Sequence, residues 1–147
     1  MEQFPTYQKI LNLERTFFVM QGAFEEALSD YGLSSPQWGI LRLLQENPGA
    51  SGAEIARFAR VTPQAVATML QRLEKADLII RQAAQSGRVV ETYLTAQGED
   101  LLEKGARVAE KLEAQIFADF SVEEQARFNE YLLRCVASIE AGKSGHE

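Results

Sequence analysis

The chain has 147 residues, 46% of them apolar and 24% charged, with a formal net charge of −6. That suits one domain with a packed core, and no apolar run approaches the roughly 18 residues of a membrane span. A single cysteine excludes an internal disulfide and fits a reducing compartment. The start MEQFPTYQKI lacks the basic stretch and long apolar run of a signal peptide, so a cytoplasmic protein is expected. The negative charge is unevenly spread. Residues 51–95 hold six Lys/Arg and four Asp/Glu, a balance of +2 that leaves −8 for the rest. A polyanion would therefore have to meet the middle third.

The first long helix is expected from Pro5 or Thr6 to about Asp30. Ile10, Leu13, Phe17, Met20, Phe24, Ala27 and Tyr31 recur in steps of three and four, a heptad row suited to a core face or to a partner chain. Gly32 fits its stop. Ser35-Pro36 reads as the cap and first position of a second helix carrying Trp38, Leu41 and Leu44. ENPGAS is a turn. Ser51 and Glu54 form an S-x-x-E capping box for a short third helix to about residue 59, with Ile55 and Ala56 inward. After a tight turn, Thr62-Pro63 caps a fourth helix. IIRQA and VVETYL, rich in β-branched residues and flanking AQSGR, read as a hairpin with a flexible tip at Gly87. Thr95 starts a fifth helix to about Ala118, with Leu101, Val108, Leu112 and Ile116 recurring along it. Ser121 and Glu124 form another capping box, for a last helix to about Ala141 with Phe128, Leu132, Cys135 and Ile139 on one row. GKSGHE reads as a frayed tail.

The fourth helix has two faces. At about 100° per residue from Gln64, residues Val66, Met69, Leu70 and Leu73 fall between about 140° and 240°, while Gln64, Thr68, Gln71, Arg72 and Lys75 fall within about 80° of zero. One stripe anchors the helix. The other offers donors and acceptors without an acid among them, the side-chain chemistry that suits base edges and phosphates in a major groove. A solvated surface is the plainer reading. The short capped helix before it, as in a helix-turn-helix, and the basic hairpin after it favour the DNA reading.

GAEIARFARVTPQAVATMLQRLEKADLI, the hairpin SGRVVETYLTAQG and the flanking long helices resemble the MarR family of bacterial and archaeal transcriptional regulators. The resemblance covers nearly the whole chain and is strongest over residues 33–102, carried by VTPQAV, LQRLEKADLI and the spacing of Arg88 to Leu94-Thr95. It implies a mainly α fold with a small β-hairpin wing. In that fold a winged helix-turn-helix (33–95) is flanked by dimerisation helices (1–32 and 96–141) in one MarR-like domain over residues 1–147. It also implies a homodimer that represses genes by binding double-stranded DNA at a near-palindromic operator. Gln64 and Thr68 would approach bases, and Arg72 a base or phosphate. Gln71 and Lys75 share that face, and Ser51, Thr62 and Pro63 lie at helix N-termini where phosphate can be met. Arg88 matches the wing arginine that enters the minor groove. Ser86 stands where the family commonly has an aspartate holding that arginine, and the wing is about a residue short, so Arg88 is expected to be less preorganised.

The family often binds aromatic or phenolic effectors between dimer helices and the winged part. Phe17, Phe24, Trp38 and Leu41 are the candidate lining here, and each also reads as ordinary core. Cys135, on an apolar row, is expected to be buried and inert. His146 is alone in the tail, and no metal cluster, cofactor motif or catalytic pairing stands out, so no enzyme is expected. The competing readings are a winged-helix protein-interaction module and a small-molecule-binding protein, neither binding DNA.

Overall fold

A computed structural model describes residues 6–144. The order is α1 (Gln8–Ser29), α2 (Ser35–Glu46), α3 (Gly52–Ala59), α4 (Pro63–Lys75), β1 (Ile79–Ala83), β2 (Val90–Leu94), α5 (Ala96–Ile116) and α6 (Val122–Ser144). The chain divides into two compact units, residues 1–110 and 111–147. Pro5 and His146 lie outside the described residues.

The first unit is built on one core: Leu28 from the end of α1, Ile40, Leu41 and Leu44 from α2, Ile55 and Ala56 from α3, Val66, Leu70 and Leu73 from α4, Ile79 from β1, and Leu102 and Val108 from α5. The heptad row of α1 splits. Phe24 and Ala27 pack against this core, whereas Ile10, Leu13, Phe17 and Met20 are exposed. The residue of α1 that is fully buried, Leu28, lies off the row. On α5 the buried face is Gly98, Leu102, Gly105 and Val108, displaced from the expected one because it includes two glycines that apolar periodicity does not count.

Helix starts follow the capping chemistry. Ser51 and Glu54 close a reciprocal box on α3, Thr62 accepts from the Ala65 N–H with Pro63 at the first position, and Thr95 accepts from the Gly98 N–H. On α2 the cap is Ser34 rather than Ser35: its hydroxyl accepts from Gln37 N, and the Gln37 amide oxygen accepts from Ser34 N. The Ser35 N–H goes to the Glu25 carboxylate at 2.8 Å, tying α2 to α1.

Three helices stop in the same way. Gly32, Arg60 and Asp77 take left-handed backbone (φ 66°, 54° and 58°). The next N–H then reaches back five residues, from Leu33 to the Leu28 carbonyl, Val61 to Ala56, and Leu78 to Leu73, satisfying carbonyls that helix ends leave open. β1 and β2 pair antiparallel with Ile79 opposite Leu94 and Arg81 opposite Thr92. Gly49 and Ala50 extend the ladder on the other edge of β2: the Gly49 N–H donates to the Thr92 carbonyl and the Thr92 N–H to that of Ala50.

In the second unit, Phe117 meets Phe120 and Phe128 edge-on at 5.5 and 5.4 Å. Ser121 and Glu124 cap α6 reciprocally at this corner.

Candidate nucleic-acid interface

The interface is assembled by α3, its turn and α4. Arg60 in left-handed backbone reverses the chain within two residues, so α4 starts almost at once and packs its apolar side on α3. Val66, Leu70 and Leu73 are buried, and Met69 is half-buried against the same core. Gln64, Thr68, Gln71, Arg72 and Lys75 are all exposed on the opposite side, as are Thr62 and Pro63 at its start. The Thr68 hydroxyl donates to the Gln64 carbonyl at 3.1 Å, which leaves its lone pairs outward as acceptors. Thr62 accepts from Ala65 N and keeps its own O–H to donate. Arg72 and Lys75 occupy the last turn of α4, where cations also complement the helix dipole.

Ser51 is placed differently. It is half-buried, and its hydroxyl both accepts from Glu54 N and donates to the Glu54 carboxylate at 2.9 Å. That carboxylate is held below its ordinary range, first by the Ser51 backbone N–H, then by the Ser51 hydroxyl and the nearby Arg57 charge, with burial opposing. The start of α3 thus already carries an anion.

In the wing, the Ala84 N–H donates to the Val89 carbonyl and the Gly87 N–H to that of Ala84, with Gly87 at φ 71°. Arg88 is exposed at this tip, and no ion pair or hydrogen bond to its guanidinium exists among the described residues. At the wing base Thr92 is 0% exposed, and its hydroxyl and the Nε of the facing Arg81 are buried without partners. Sequence reading passed over both. The two-residue step from buried Ile79 to half-buried Arg81 was the signal that put Arg81 on the inward face. It also left Arg57 unassigned, whose guanidinium lies 5.2 Å from the Phe58 ring beside the turn.

The four candidate pocket residues are only partly brought together. Phe24 and Trp38 meet edge-on at 5.3 Å, and Leu41 is fully buried in the core. Phe17 is exposed and touches Phe18. Cys135, expected to be buried, is exposed in the chain, because its row on α6 has nothing over it. Among the described residues no group of three metal-ligating side chains forms, and no helix is long and apolar enough to cross a membrane.

The sequence profile described as the MarR family matches residues 31–88. The HTH-type transcriptional repressor Rv2887 of Mycobacterium tuberculosis is 38% identical over 121 residues, covering 82% of this chain and 87% of the relative. Its crystal structure in complex with DNA superposes with a TM-score of 0.75 at 32% identity, over 90% of this chain and 98% of that one. Its complex with salicylic acid gives 0.71 at 35% identity, over 91% and 98%.

Proposed function

Because the chain belongs to the MarR family, we propose that it is a homodimeric transcriptional repressor of the cytoplasm, a binding protein and not an enzyme, that occupies a near-palindromic site on double-stranded DNA. The observation that carries this reading is the two-faced α4: Val66, Leu70 and Leu73 buried, with Gln64, Thr68, Gln71, Arg72 and Lys75 turned outward. Gln64, Thr68 and Gln71 read base edges. Arg72, Lys75 and the Thr62-Pro63 helix start meet bases or phosphates. Arg88 enters the minor groove from the wing, free of any side chain that would hold it back. Ser51 contributes through α3, since its hydroxyl is engaged by Glu54. The helices outside residues 33–95 supply the dimer contacts, for which the exposed apolar rows of α1 and α6 are suited.

The mycobacterial relative is solved with salicylic and p-aminosalicylic acids. For this chain we propose a small aromatic or phenolic effector that reaches the Phe24–Trp38 pair, backed by Leu41.

Electrophoretic shift with the duplex upstream of the chain's own gene tests the DNA reading. A shift is expected whose affinity falls steeply with salt. Arg72→Ala should weaken binding by about 1–3 kcal/mol if the arginine reads a base, or lower the salt slope by about one if it neutralises a phosphate. No shift at low salt, or an Arg72→Ala protein that binds like wild type, contradicts the proposal. Binding indifferent to salt favours a protein-interaction module instead.

A further inference from the structure

Helix α5 meets the winged-helix body at two places where it has no side chain. At Gly98 a Cβ would run into the Leu78 carbonyl. At Gly105, two turns on and on the same face, it would run into Cδ1 and Nε1 of Trp38. The second notch does more than make room. Side chains on a helix lean back over the preceding turn, and residue 105 stands three positions after Leu102. With no Cβ there the Leu102 carbonyl is open sideways, and the Trp38 indole N–H donates to it at 3.1 Å. The ring is held from other sides by Phe24, edge-on at 84°, and by the Arg42 guanidinium at 5.9 Å from its centroid.

The geometry points to Trp38 as a positioning residue for DNA binding: seated in the Gly105 notch and bonded to Leu102, it fixes α5 against α2. This rests on reading the chain as a DNA-binding dimer. The Gly98 contact pins the start of α5 beside the wing, where Thr95 also donates to the Asp77 carbonyl at 2.6 Å. Leu102 and Val108 seat the middle of α5 in the core, and the directional indole bond fixes its sideways setting there. α5 carries the chain out of the winged-helix part toward α6, so in a dimer joined through the terminal helices a swinging α5 changes the separation of the two recognition helices. A duplex registers that as misfit at the second half-site. An effector wedged beside Phe24 acts on the ring that holds the helix, which links the pocket to the groove.

Trp38→Phe keeps a ring and removes the N–H; Gly105→Ala fills the notch. Affinity is measured by fluorescence anisotropy for the full upstream site and for a duplex carrying one half of it, with sedimentation establishing a folded dimer. Trp38→Phe is expected to bind the full site about three- to tenfold more weakly, the scale of one net hydrogen bond, while its half-site affinity stays that of wild type. Gly105→Ala should lose as much or more on the full site only. Unchanged full-site affinity in Trp38→Phe, or an equal loss on both duplexes, overturns the positioning role. If Gly105→Ala does not fold, Trp38→Phe decides alone. Wild-type protein that binds neither duplex defeats the DNA-binding reading, and this inference with it.

Discussion

Thr62 and Glu54 show how closely stability and DNA contact are interleaved around the turn. Thr62 holds the free Ala65 N–H at the start of α4 while its hydroxyl proton remains to donate outward. Thr62→Ala should therefore cost about 1 kcal/mol in urea unfolding and weaken DNA binding in the same protein. Glu54 acts through protonation. Its folded carboxyl is held below the usual range by Ser51, so as pH falls the unfolded chain takes up the proton first. The stabilisation is present at neutral pH and is lost as pH drops through the lowered folded value. Glu54→Gln can still accept from Ser51 N but does not titrate. Its stability deficit relative to wild type should be full near pH 7 and shrink as pH falls through the lowered folded value; a deficit constant with pH would exclude the carboxylate's role. These residues were legible because a cap and its partner lie three positions apart. Ser34 was missed: Gln37 stands three residues on, but the Ser-Pro pair one step later took the cap assignment.

At the scale of elements, the sequence disclosed what is local and hid what is brought from afar. The six helices of the described residues and the hairpin were readable from caps, periodicity and β-branched runs. Of the three left-handed helix stops, Gly32 announced itself. Arg60 and Asp77 did not, because a residue with a Cβ is seldom placed there; the five-residue back-bonds from the next N–H close α3 and α4 around them. The α5 face was read in part, through Val108 and Leu101; Gly98 and Gly105 were missed because they matter through what they admit, Leu78 and Trp38, and neither partner is near in sequence. The outward stripe of α4 was legible in full, whereas the engagement of Ser51 by Glu54 was seen as a cap and not as a hindrance to phosphate. The wing tip offers a test at this scale. Gly87 sits at φ 71°, where a side chain costs about 1–2 kcal/mol, yet it lies in an exposed loop outside the core. Gly87→Ala should lower the thermal midpoint by only about 2–8 °C and weaken DNA binding by displacing Arg88. Equal affinity of the two proteins would show that the wing arginine contributes nothing.

For the whole molecule the decisive feature is apolar surface with no cover. Ile10 and Ile139 are 67% and 62% exposed, with Leu13, Phe17 and Met20 on α1 and Leu132, Leu133 and Val136 on α6 exposed likewise. Scattered exposed apolar residues are ordinary; rows of them repeated along two helices are surfaces built to meet another surface. Burial returns about 25 cal/mol for each Å² of apolar area, and a second copy supplies it symmetrically, one row serving both partners. The exposure of Cys135 belongs to the same face of α6 and is that of a chain alone. Ile139→Glu, and separately Leu13→Glu, places a carboxylate where a partner's apolar side chain should sit, and an unpaired buried charge is among the costliest defects an interface can hold. Sedimentation equilibrium should give a dimer for wild type and monomers for the variants, with the helical content of the winged part retained. Two recognition helices on one body bind a two-part site far more tightly than one, because the second contact is made at high effective concentration. The monomers should therefore lose about 10²-fold or more on the full site and keep wild-type affinity and salt slope on half of it. Variants that remain dimeric, or monomers that bind the full site as wild type does, would show that these rows serve some other contact and that the winged helix works alone.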